Sequence, residues 1–441
     1  MKDRWSELFG KNYYLILTNE ERKYLALDPL EDKWEATSFY SKTNLWHKRT
    51  TIYWDNDVIK KVIVEQKKVS EEGKLTYHSY QEFDTELLTE SREWLLPLTS
   101  RGKKKKVTAT NILSVDPFGC IFHFHLDLYD GVSTSFFVGN DRNNKRLPIG
   151  ENEKIDQIRN DADFHTFMQY YMSTCPPDYF DDVKQLKTAE HVTVKYNVGD
   201  VFRVKTDRFH YCYGIITGKV HDILKWKEMP NRHTFHSLMM VPVMVRYYGF
   251  MTADADITVD ELESYKLGGV DICGDNDIIW GTHPIIGHRQ LCEEDIEFNL
   301  VCAKHIQDDE HKTVTTDDFN ISEKIIECPR RFSLYVEWGM ATTILTYDKI
   351  SEKLEAYLEN YRCPHGGVAP SIHPMLMEDE TETVYAGNPY MYRNDLLNDS
   401  NREFREELFI CLGLSKAATF DDFAGKFGVS TPANQPVVWT I

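Results

Sequence analysis

"KYNVGDVFRVKTDRFHYCYGIITGKV", from Lys195 to Val220, decides how the middle of this chain folds. Apolar and polar residues alternate from Val201, a polar break follows, and a second run rich in aromatics begins at Tyr211. Period-two alternation on both sides of a polar break is the pattern of paired strands. Gly199 permits a turn conformation that residues with a Cβ disfavour. Asp200 is placed to accept backbone hydrogen bonds just before the first strand. Tyr211 and Tyr213 fall on one face of the second strand, because side chains two apart share a face. The stretch predicts a small β-barrel-like module with aromatics in its core.

Upstream, the chain is also β-rich. "TTIYWDNDVIKKVIVE" reads as two strands around an Asp-Asn-Asp turn, and "CIFHFHLDLYDGVSTSFFVG" as a hairpin turning at Asp130-Gly131. Thr18 with Glu21 has capping-box spacing for a short helix. "NEKIDQIRNDADFHTFMQYYM" has helical spacing, and the prolines of "STCPPDYFDD" break the pattern. Downstream, "MMVPVMVRYYGFM" is a long apolar strand and Thr258 with Glu261 starts another capped helix. "RFSLYVEWGMATTILTY" reads as one strand. The remainder predicts helices, one with Ser400 and Glu403 in capping-box spacing. The expected architecture is α+β. It comprises a β-rich N-terminal domain (1–186), the β module (191–307), and a C-terminal strand with helices (330–441) that pack on the module.

The bulk composition narrows the function. At 441 residues the chain is long for one core, so two or three domains are expected. Charged residues at 27% and hydrophobic residues at 41% are ordinary for a globular protein. A net charge of -19 argues against nucleic acid as a partner and suits a basic protein instead. The nine cysteines are scattered singly with no C-x-x-C, the usage of reduced thiols in a cytoplasm. No apolar signal core opens the chain, and the longest apolar run falls far short of the ~20 residues that span a bilayer. The reading is cytoplasmic, with no membrane partner.

Catalytic motifs are sparse. "GIITGKV" fails as a phosphate loop, since three residues separate Gly214 from Gly218 and Val220 stands where Ser or Thr would hold magnesium. G-x-G-x-x-G, H-E-x-x-H and G-x-S-x-G are absent. "HFHLD" is the best metal-like set: on a strand His123, His125 and Asp127 project together, and two imidazoles with a carboxylate can hold zinc. The alternative is a wetted strand face above buried Phe122, Phe124 and Leu126. His233, His236, His283, His288, Cys363 and His365 lack spacing that marks a ligand set. The Lys103 to Lys106 run reads as a solvated strand start. No cofactor is implied.

"VGDVFRVKTDRFHYCYGIITGKV", then "VPVMVRYYGF", then "HPIIGHRQLCEEDIEF" resembles the immunity protein 26 family of bacterial polymorphic-toxin systems. The likeness rests on Gly199-Asp200-Val201-Phe202, on Tyr211-x-Tyr213-Gly214, and on "IIGHRQL" running into an acidic helix start. It covers about His191 to His305. The resemblance implies a protein that binds a cognate toxin and blocks it; the missing catalytic motifs fit a non-enzymatic role, and the acidic balance suits a basic toxin such as a nuclease. Asp271, Asp275 and Asp277 in "DICGDND", with Trp280, are the expected contact residues. Because the family label extends to proteins described as phosphotriesterases, the alternative is a metal-dependent phosphotriesterase-like hydrolase using the "HFHLD" strand.

Overall fold

The computed structural model describes residues 15–96, 102–115, 118–129, 131–148, 155–226, 229, 233–238, 241–298, 300–307, 313–315, 332–346, 349–360, 374–376, 384–386, 396–397 and 399–428. The chain divides into two compact units, Met1–Thr193 with Thr206–Phe209, and Val194–Lys205 with His210–Ile441. Among the described residues no helix is long and apolar enough to cross a membrane.

The first unit is built on a nine-stranded, antiparallel sheet. Its strands are β1 (Glu35–Thr43), β2 (Trp46–Asp55), β3 (Val58–Val69), β4 (Leu75–Glu90), β5 (Trp94–Leu95), β6 (Lys105–Lys106), β7 (Cys120–Asp127), β8 (Ser133–Asn140) and β9 (Lys145–Arg146). The main path runs β1-β2-β3-β4-β7-β8-β9. The expected β2–β3 turn forms with Asn56 at positive φ, and β7–β8 is the expected hairpin, although Asp130 lies outside the described residues. Helices α1 (Asn19–Tyr24), α3 (Asp161–Ser173) and α4 (Tyr179–Thr188) supply apolar cover to one face; α2 (Ala109–Ile112) belongs to a smaller cluster. Thr18 and Glu21 form the expected capping box.

That covered face also buries charge. Lys61 lies between Glu82 (2.5 Å) and Asp84, and Arg22 Nε donates to Glu82 at 2.8 Å. Burial is the largest influence on both carboxyls. It lifts Asp84 to about 6 despite Lys61, whereas at Glu82 Lys61 and Arg22 outweigh it and hold the group below its usual range. Buried charges require such partners.

The second unit holds the quoted stretch. Its first sheet is β10 (Asp200–Lys205), β11 (Tyr211–Lys219), β12 (Pro242–Thr252), β13 (Leu267–Gly274) and β14 (Ile285–His288), in the order β13-β12-β11-β10-β14. The expected barrel is not formed. The sheet is open, with β13 and β14 as edges, and α7 (Asn276–Ile279) with the turn after it carries the chain from one edge to the other. Helices α5 (Val220–Ile223) and α6 (Val259–Leu262) follow β11 and β12. Both faces of the sheet are packed. Phe202, Cys212, Ile216, Val245 and Tyr247 bury one, while Val201, Tyr213, Ile215, Tyr248 and Leu262 bury the other. Double burial explains why β11 and β12 read as almost continuous apolar runs.

The unit continues with β15 (Leu300–Gln307), β16 (Thr313–Thr315), β17 (Phe332–Trp338) and β18 (Ala341–Thr346), a four-stranded sheet in the order β16-β15-β17-β18. The stretch expected to be one strand is therefore a hairpin, turning where Gly339 takes φ +59°. Helices α8 (Glu352–Asn360), α9 (Arg402–Cys411) and α10 (Phe420–Phe427) bury apolar residues in the same cluster as Leu334, Val336 and Trp338. The short ribbon β19 (Pro374–Leu376) and β20 (Val384–Ala386) completes the strands. The C-terminal region is thus a sheet with helices rather than mainly helical. The Ser400 capping box does not form, since α9 starts after Asn401 without a side-chain cap.

Candidate functional site

Between β12 and β13 the sequence "ADADITVDELESY" carries five acids and no basic residue. Asp254, Asp256, Asp260, Glu261 and Glu263 are all exposed, and Tyr265 beside them is 38% exposed. The segment is held from below. Tyr213 Oη donates to the Asp254 carbonyl at 2.9 Å, and Arg203 donates to the Ala255 carbonyl. Asp254 Oδ1 accepts from the Asp256 N–H at 2.9 Å.

Thr258 and Glu261 form the expected capping box: Glu261 Oε2 accepts from Thr258 N at 2.8 Å, and these bonds keep its carboxyl below the usual range. Helix α6 rides on the edge strand, where Val259 Cγ2 lies 2.5 Å from the place a Cβ on Gly287 would occupy. Phe250 bridges Tyr265 and Tyr213, with ring centroids 4.3 and 6.2 Å away. Among the described residues Asp254, Asp256, Asp260 and Glu263 are in no ion pair. The result is a preorganised acidic surface with an aromatic flank, suited to a basic protein surface.

The three aspartates expected to make contact lie elsewhere. Asp271 (3% exposed) stands opposite Val245 in β13, and its Oδ1 accepts from Ile272 N at 2.9 Å. Asp275 is buried and accepts from Tyr196 Oη at 2.7 Å; burial, then this bond, pushes the phenol up. Asp277 is buried, with His283 Nε2 at 3.9 Å. Trp280 is partly exposed just after α7. The structure brings them together, but with the carboxylates turned inward. Five solvent-facing acids gather around the capping box instead, and the uncompensated run of acids was the sequence signal for them.

The Gly-Asp start of β10 makes a second arrangement. Gly199 has φ +92°, and a Cβ there would meet the Arg289 carbonyl at 2.5 Å. Asp200 Oδ2 accepts from Asn197 N at 2.7 Å, while Oδ1 lies 2.8 Å from His288 Nδ1. The carboxylate fixes Nδ1 as the donor, and the His288 side chain is 54% exposed. Arg289 then grips Asp295 with both Nη atoms, at 2.7 and 2.9 Å.

Nothing pairs this histidine with a nucleophile. Among the described residues no thiol or hydroxyl bonds to His288, and Cys292 donates its proton to Asp295 at 3.1 Å. Burial and that bond push the Cys292 thiol up, away from the reactive thiolate.

The metal-like strand is also resolved. On β7, His123, His125 and Asp127 share the partly exposed face, with Phe122, Phe124 and Leu126 buried beneath. The imidazole centroids are 6.5 Å apart and Asp127 Oδ1 turns back to accept from Tyr129 N at 2.9 Å. Among the described residues no group of three His, Cys, Asp or Glu is placed to hold a metal ion. His233 is buried against Glu337, and Cys363 and His365 lie outside the described residues.

Residues 197–311 match the family model for immunity protein 26. The match covers only part of the chain, spanning β10 to β15 and both arrangements above. No curated protein and no solved structure matches the chain.

Proposed function

We propose that this chain is an immunity protein that binds a cognate toxin domain in the cytoplasm and neutralises it by occupying its surface, without catalysis. The family match over 197–311 carries the reading. The acidic segment from Asp254 to Tyr265 is the contact surface, and the toxin is basic and nuclease-like. Rigid support from Tyr213 and Arg203 lowers the ordering cost of binding. Fixed negative charge raises the association rate with a positive partner.

Co-expression with the product of the adjacent gene, where that product inhibits growth on its own, tests the proposal through growth rescue. The unaltered chain is expected to restore growth, and its failure to do so rejects the function. A triple charge reversal, Asp256→Lys, Asp260→Lys and Glu263→Lys, tests the surface. A pair of charges ~10 Å apart in water interacts by about 0.4 kcal/mol. Three reversals against one facing cation each then weaken binding by roughly 2.5 kcal/mol, on the order of fiftyfold, at low salt. The loss shrinks as salt shortens the Debye length. Unchanged binding by the triple variant places the interface elsewhere on the module.

A further inference from the structure

The function above leaves unused the face of the first unit that carries the "HFHLD" histidines. In an antiparallel sheet, directly paired residues lie on the same face. The register therefore lines up Trp46, Lys68 and Tyr77, then Gln66 with Ser79 and His125, then Gln81 with His123 and Phe137. The opposite face is the one packed under α3 and α4.

Four rings form a continuous edge-to-face run across this face: Trp46 to Tyr77 at 5.2 Å, Tyr77 to His125 at 4.9 Å, and His125 to His123 at 6.5 Å. Lys68 Nζ sits over both Trp46 (5.4 Å) and Tyr129 (4.9 Å), and Tyr129 is 68% exposed. The polar members are equally telling. The side chains of Gln66, Gln81, His123 and His125 make no hydrogen bond among the described residues, though all four are half-buried.

We infer that this face binds an extended, neutral polysaccharide. Rings offer an apolar edge and face to the C–H surfaces of a sugar. Amides and neutral imidazoles both donate and accept, which is what a hydroxyl-rich ligand requires. Burial, and then the neighbouring His125, lowers the pKa of His123 and favours its neutral form. These paired residues cross five strands, about 19 Å at about 4.8 Å spacing, a span that fits a chain rather than a small molecule; beside Gln81 the same face is covered by the cluster of Val64, Phe83 and Ile112. The face also carries Lys48, Lys68 and Arg146 against Asp127, so a polyanion is the competing occupant that the test must separate by its salt dependence.

The test is retention of the full-length protein on cellulose, chitin, xylan and mannan, with native affinity electrophoresis on their soluble forms at low and high salt. Retention on at least one is expected, insensitive to salt. Trp46→Ala and Tyr77→Ala should each weaken it about tenfold or more, as loss of an aromatic anchor does. Gln81→Ala, which removes an unbonded amide and leaves the ring run intact, should weaken it several-fold with the melting temperature unchanged. Failure to bind all four polymers overturns the inference. So does retention that survives Trp46→Ala and Gln81→Ala, or binding that moves to an oligonucleotide and disappears with salt. None of these outcomes bears on toxin protection, which involves the other unit.

Discussion

Replacing Arg289 by Ala isolates the contact that fixes the segment after edge strand β14. Arg289 makes two parallel bonds to Asp295, at 2.7 and 2.9 Å, and a longer one to Tyr248 Oη at 3.3 Å. The arginine side chain is 18% exposed and the aspartate 8%, so the pair lies between the exposed and buried limits. Exposed pairs contribute about 0–1 kcal/mol, whereas breaking a buried pair costs about 3–5 kcal/mol. After the change Asp295 still accepts from Cys292 N at 2.8 Å, which softens the loss.

We expect Arg289→Ala to cost about 2–3 kcal/mol, and Arg289→Lys, which cannot span both oxygens, about half of that. Burial pushes Asp295 up, but the Arg289 bonds and the Cys292 N–H outweigh it and hold the group below its usual range. The pair therefore stays charged at neutral pH. Hydrogen exchange over residues 285–298 is the assay, because it reads local opening without assuming that the two units unfold together. The expected loss of protection is roughly 30- to 150-fold. In a double-mutant cycle Asp295→Ala should add little once Arg289 is gone. Additive effects, or protection unchanged in Arg289→Ala, would refute the claim that this pair anchors the segment.

Two further outcomes follow from the second unit. Gly214→Ala would place a Cβ 2.5 Å from Phe202 Cζ, inside a cluster where Phe202 also packs on Tyr247; thermal unfolding should show a loss of about 1–3 kcal/mol, relieved by Phe202→Leu. His233 is buried, with Nε2 donating to the Gly339 carbonyl and Nδ1 accepting from Phe235 N, and burial is the main reason its pKa is lowered. Its folded pKa lies below the unfolded value near 6.5, so its contribution is full above that value and is lost as pH falls through the folded pKa. Melting temperature should drop on acidification below neutrality, and His233→Gln should flatten that part of the curve.

Much of the local structure was legible because its causes are local. The capping boxes at Thr18 and Thr258, the β2–β3 turn and the β7–β8 hairpin each depend on a few adjacent residues. The hairpin β17–β18 was read as one strand because Gly339 sits inside an otherwise continuous β-forming run, and only its left-handed backbone marks the turn. The candidate site was half legible. The stretch that matches the family model and the Gly-Asp start were found, but Asp271, Asp275 and Asp277 were placed on the surface although they lie inside. Their burial depends on the pairing of β13 with β12 and on partners such as Tyr196, which is 79 residues away from Asp275.

By itself the sequence determined several of the strands, where several helices begin, and that residues around the quoted stretch resemble a known family, because periodicity, turn residues and motif order are properties of neighbours along the chain. Only the tertiary structure decided that the five-stranded sheet stays open, that β15 pairs with β17, and which acids face solvent. Those outcomes depend on pairings between distant segments and on what covers each face, and a side chain's exposure is fixed by its neighbours in space.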